Sequence, residues 1–167
     1  MSQRKGHSML ILPPNPNLAV IEFTVTNFVS VRQGGRMVTS GQSPDVTTSL
    51  SVTPPRVSRQ SNSVFEFSSS GGPPVDLAFA VLPSGEYAAV GLIVQKVTAD
   101  DDGGGVWDRL TVGNGPNDNV IYVRNTGKPT TLPPITYEIY MLIRRRDAGG
   151  DYPFGDIGVI DPSWINR

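Results

Sequence analysis

Residues 135–165 read ITYEIYMLIRRRDAGGDYPFGDIGVIDPSWI, and the reading of this stretch decides the fold. From Ile135 to Ile143 the side chains of Ile135, Tyr137, Ile139, Met141 and Ile143 occupy odd positions, and Thr136, Glu138 and Tyr140 occupy even ones. A period of two places alternate residues on opposite faces, which is the pattern of a half-buried β-strand. Leu142 interrupts the polar side and predicts that the strand ends where both faces are covered. After Arg144-Arg145-Arg146, Asp147 and Gly149-Gly150 supply the backbone freedom of a reversing chain. Ile157, Val159 and Ile160 then fold back beside the first strand. Asp161-Pro162 is expected to stop this second strand, because proline has no N–H to give to a ladder. Trp164 and Ile165 are left to pin the chain end, with Trp164 as a lid on the core. On a strand Arg144 and Arg146 share one face and Arg145 takes the other, so the three make no single phosphate-binding patch. They are expected to form a solvated hairpin end beside Asp147 and Asp151.

The same alternation recurs upstream. Leu18–Val31 reads as a long strand, with Ile21, Phe23, Val25, Val29 and Val31 opposite Glu22, Thr24, Thr26 and Ser30, and Asn27 marks a bulge. Gln33-Gly34-Gly35 turns the chain toward a strand over residues 46–52. Residues 56–62 form a polar connection or a weak edge strand, Val64–Phe67 a short strand, and Leu77–Val81 another before the turn at Pro83-Ser84-Gly85. Tyr87–Val97 (YAAVGLIVQKV) is apolar on both faces, with Ala and Gly on one of them. That predicts a central strand closely approached by its neighbours. Residues 106–112 and 120–124 complete roughly nine or ten short strands with turn signals between them, and no segment sustains a helical period.

The chain has 167 residues, 18 Gly and 15 Pro, the composition of many short strands joined by turns. The expected fold is all-β: a single two-sheet antiparallel β-sandwich, immunoglobulin-like or jelly-roll-like, over residues 18–167. An extended N-terminal arm over residues 1–17 precedes it. Arg4 and Lys5 precede an apolar patch of only four residues, Met9–Leu12, which Pro13-Pro14 cuts off. This predicts no classical signal peptide, and hence a protein that is cytoplasmic or released by another route. No apolar run is long enough for a membrane span.

Chemistry is sparsely represented. The absence of cysteine excludes disulfides, thiolate metal sites and cysteine nucleophiles. The single histidine, His7, lies in the arm, away from any partners for a hydrolytic triad or a zinc site. A net charge of −1 gives no electrostatic basis for nucleic-acid binding. The two glycine-rich acidic loops at 100–105 and 113–119 are the best candidate site. Asp100, Asp101, Asp102 and Asp118 would supply hard oxygen ligands for calcium, and Trp107 with Asn117 would hold a sugar, provided both loops meet at one end of the sandwich. Turn chemistry alone also accounts for these residues.

The closing pattern, a Tyr-x-Ile-x-Met strand, a glycine turn and a short strand running into Ile160-Asp161-Pro162-x-x-Ile165-Asn166, resembles the end of small uncharacterised bacterial β-sandwich proteins of the Asp-Pro/Glu-Pro type. It is similar also to the related inclusion-body protein group. The resemblance covers the last thirty residues or so and implies an immunoglobulin-like sandwich and self-assembly, with no catalytic residues to carry over. Two functional expectations follow. The first is a non-enzymatic structural or interaction module that forms homo-oligomers or docks on a protein partner through its arm and strand edges. The second is a calcium-dependent carbohydrate-binding module using the two acidic loops.

Overall fold

A computed structural model describes residues 17–27, 32–33, 36–37, 45–52, 54–68, 73–97, 107–113, 117–128, 131–146 and 157–167. The arm therefore lies, apart from Asn17, outside the described residues. No helix among the described residues is long and apolar enough to cross a membrane. The strands are β1 (Leu18–Asn27), β2 (Arg32–Gln33), β3 (Arg36–Met37), β4 (Asp45–Val52), β5 (Val57–Arg59), β6 (Val64–Phe67) and β7 (Val75–Leu82). They continue with β8 (Tyr87–Lys96), β9 (Trp107–Val112), β10 (Val120–Asn125), β11 (Ile135–Arg145), β12 (Ile157–Ile160) and β13 (Ser163–Asn166).

Two packed sheets make the all-β sandwich. The first runs β4-β1-β7-β10-β9; in the second, β11 is flanked by β8 on one edge and by β12 and β13 on the other, followed by β6 and β5. The short pair β2-β3 stands apart. Within this otherwise antiparallel arrangement β1 runs parallel to β7 and β13 parallel to β6. Parallel neighbours require long crossovers, and the chain makes one between β1 and β7 by passing through β5 and β6 of the other sheet.

The alternation of β11 is realised residue by residue. Ile135, Tyr137, Ile139, Met141 and Ile143 are buried between the sheets, and Glu138 is exposed on the opposite face. They meet Ala19, Ile21, Phe23 and Val25 of β1, Leu77, Phe79 and Val81 of β7, and Ile121 and Val123 of β10. Phe23 and Phe79 stack with centroids 6.2 Å apart. Trp164 is fully buried against Phe65, Phe67 and Trp107, as expected of a core lid. On β1 the ladder shifts register between Val25 and Asn27, where the bulge was expected.

The outer faces of the two sheets differ. Leu18, Val20, Ala78, Ala80 and Val120 form a second buried cluster on the outer side of the first sheet. Beside it Arg124 makes a two-pronged ion pair with its cross-strand neighbour Asp76 at 2.6 and 3.0 Å. Among the described residues the second sheet keeps exposed large apolar side chains on β8 or directly after it.

The strand expected to end at Asp161-Pro162 instead resumes in the same register. Met141 faces Ile160 and Glu138 faces Ser163, with two residues intervening on each strand. Pro162 costs the ladder one donor, but its carbonyl accepts the Ile139 N–H at 2.9 Å. β12 and β13 are thus two halves of one strand along β11.

Candidate functional site

The turn over Leu82–Tyr87 launches β8 along β11. Glu86 and Tyr87 both donate their N–H to the Pro83 carbonyl, at 3.0 and 3.2 Å. From there β8 pairs with β11 from Tyr87↔Arg145 to Lys96↔Tyr137. The register slips between Leu142 and Ile143, which leaves Val90 as an extra residue opposite no partner. Tyr87, Ala89, Leu92 and Val94 face the core.

The run Tyr87–Val97, apolar on both faces, predicts a central strand, but among the described residues β8 is an edge strand. Among the described residues no strand pairs with its other side. A Cβ built on Gly91 meets nothing within 4 Å, so this glycine marks open space and not close approach by a neighbour. The exposed large apolar side chains among the described residues are Val90 (44% exposed), Ile93 (56%) and Val97 (52%), all on β8 or directly after it. A run that is apolar on both faces looks central in sequence, but whether one face is covered depends on which strands become neighbours.

Backbone polarity follows from the ladder. Val97 donates its N–H to the Thr136 carbonyl at 2.9 Å. In an antiparallel pair successive residues turn their polar groups to alternate sides. Ile93 and Gln95 therefore bond to β11, and Leu92, Val94 and Lys96 present N–H and C=O to the other side, where no described strand lies. At the start of the strand the open side is closed, because Ala89 donates its N–H to the Asp118 carbonyl at 2.8 Å. Edges in natural sheets are usually guarded by prolines or charged side chains. Gly91–Gln95 contains neither, and the one charged residue of β8, Lys96, stands at its end. Across the ladder Ile93 faces Tyr140, whose hydroxyl donates to Glu138 Oε2 at 2.5 Å. This bond to a carboxylate, first of several causes, raises the Tyr140 phenol above its ordinary value.

Of the residues of the two-loop site, only Trp107, Asn117 and Asp118 lie among the described ones, and Trp107 is not brought together with the other two. Trp107 opens β9 opposite Asn125, whereas Asn117 and Asp118 lie in the turn between the far end of β9 and the start of β10. With about 3.3 Å per residue along a strand, Trp107 and Asp118 are separated by roughly the length of β9, on the order of 15–20 Å. The rings of Tyr137 and Trp164 pack edge-on against Trp107 at 5.5 and 5.8 Å, which makes it part of the core wall. Asp118 is bound by Arg146 Nη2, and this ties the closing end of β11 to the β9–β10 turn. Arg146 was expected beside Asp147 and Asp151, which lie outside the described residues together with Asp100, Asp101 and Asp102. Among the described residues no cluster of His, Asp or Glu is suited to hold a metal ion.

A cleft of about 240 Å³ opens between Pro54, Pro55, Pro73, Pro74, Val57 and Val75. Its Arg56 lies 4.9 Å over the Phe67 ring and donates to the carbonyls of Ser68 and Pro73. The guanidinium braces the loop ends around the cleft.

No family model matches the chain, and no curated protein and no solved structure matches it either.

Proposed function

We propose that this protein is a structural or interaction module that joins other chains by adding an extended strand to the open edge of β8. The observation that carries this reading is the coincidence of two features on one strand. Among the described residues no strand pairs with the outer side of β8, and the exposed large apolar side chains among them, Val90, Ile93 and Val97, lie along it or directly after it. Strand addition uses both: main-chain hydrogen bonds hold the incoming strand, and alternate side chains select it.

The test is light scattering on the unmutated chain and on Ile93→Lys with Val97→Lys. Both residues are exposed, so the substitutions leave the fold intact by circular dichroism. The unmutated protein is expected to be larger than a monomer at micromolar concentration, and the double variant monomeric. A monomer for both, at every concentration, ends the reading.

A further inference from the structure

The open stretch of β8 has a centre. It is limited upstream by Ala89, whose N–H is taken by the Asn117–Asn119 turn, and downstream by Val97, the last described residue of this segment and held to β11 by its N–H. Val94 lies midway between Gly91 and Val97. On the strength of the strand-addition reading above, we propose that the occupant of the edge is β8 of a second copy. The two strands run antiparallel about a two-fold axis beside Val94, and the two outer sheets become one.

This register pairs the open stretch with itself over its full length. Val94 faces the partner's Val94, Leu92 faces the partner's Lys96, Ile93 the partner's Gln95, and Gly91 the partner's Val97. The residues that turn their backbone toward the open side, 92, 94 and 96, then meet one another and form about six interchain hydrogen bonds. On the outer face the partner's Val97 covers the open space at Gly91, where no atom lies within 4 Å of a Cβ position. The one charged residue of the stretch, Lys96, faces the partner's Leu92 in this register, so the strand meets its own copy with no like charge directly opposite. A shift of the axis toward Ala89 drives the incoming strand into the Asn117–Asn119 turn, and a shift the other way shortens the overlap. Because the same edge serves both subunits, the assembly closes at two copies and does not grow into a filament.

The chain has no cysteine, so Ile93→Cys and Gln95→Cys each carry one thiol, at exposed positions. In the proposed pairing, position 93 of one copy and 95 of the other form a non-hydrogen-bonded pair with Cα atoms about 4.5 Å apart. That separation suits a disulfide, whereas two residues out of register exceed the limit of about 7 Å. Under mild oxidation, a mixture of the two variants, distinguished by mass, is expected to give a mixed disulfide that neither variant forms alone. Assembly of the unmutated chain without the mixed disulfide, or ready cross-linking of Ile93→Cys to itself, overturns the two-fold pairing but leaves strand addition to β8 standing. A chain that is monomeric throughout removes both.

Discussion

The side-chain amides of Asn125 in the first sheet and Asn166 in the second form a reciprocal pair across the sandwich, with Asn125 Nδ2 donating to Asn166 Oδ1 at 3.0 Å and Asn166 Nδ2 to Asn125 Oδ1 at 3.2 Å. Each oxygen accepts a second bond from two residues away in its own chain segment: Trp164 Nε1 to Asn166 at 2.8 Å and the Gly127 N–H to Asn125 at 2.7 Å. Both asparagines are completely buried. Satisfied on both oxygens, the pair ties the ends of β10 and β13 together and fixes the ring of Trp164.

Removal of one partner strands buried donors of the other, at about 1–3 kcal/mol for each group left unsatisfied. Asn125→Ala and Asn166→Ala are each expected to lower the unfolding free energy by at least about 2 kcal/mol. The double variant should lose less than the sum of the two by about 1 kcal/mol or more, as for residues in one network. Urea unfolding of the four proteins measures this, and strict additivity would deny the pairing.

Gly127 adopts φ = 81°, a conformation that costs a residue with a Cβ roughly 1–2 kcal/mol. Gly91 has open space around it and lies inside a strand, where Ala is the better residue by about 0.5–1 kcal/mol. Gly127→Ala is expected to destabilise the protein and Gly91→Ala to stabilise it slightly. Chemical denaturation of the two variants reads the opposite signs directly.

On β11, Ile139→Ala is expected to cost about 2–5 kcal/mol, the range for truncating a fully buried aliphatic side chain. Its neighbour Glu138 is exposed, and Glu138→Ala should stay within about 0.5 kcal/mol of neutral. Equal losses in denaturant unfolding would contradict the alternation of faces.

Tyr87, Tyr122 and Tyr140 all have phenols raised above their ordinary value of 10.0: Tyr87 and Tyr122 chiefly by burial, Tyr140 chiefly by its bond to Glu138. A group whose folded value is raised contributes stability that is whole below its unfolded value and is lost as pH rises through the folded one. Stability should therefore be insensitive to these groups at neutral pH and decline above about pH 10. Thermal melts from pH 8 to 12 test the sign, and Tyr140→Phe is expected to flatten part of the decline.

The faces of single strands were legible in the sequence because side-chain alternation is a local property. Ile139 inside, Glu138 outside, the shift near Asn27, the weak edge strand within 56–62 and the burial of Trp164 all follow from residues within a few positions of one another. What depends on neighbours far away in the chain was not legible. β8 is apolar on both sides in sequence whether or not a strand covers it. The calcium-site reading required Trp107 and Asp118 at one end of the sandwich, but the hairpin they share places them at opposite ends of β9. Asn125 and Asn166 are ordinary turn-forming residues until the two sheets bring their amides together. Asp161-Pro162 carries the usual signal for a strand end, and the ladder to β11 continues past it because only one donor is missing.

Amide hydrogen exchange along β8, measured as a function of protein concentration, tests the central claim most directly. Ile93 and Gln95 bond to β11 within one chain, and their amides should exchange slowly at every concentration. Leu92 and Val94 point to the open edge, and theirs should exchange rapidly in dilute solution and slow down as concentration rises. Rapid exchange at Leu92 and Val94 at all concentrations would contradict the account, because it would show that no strand docks on this edge.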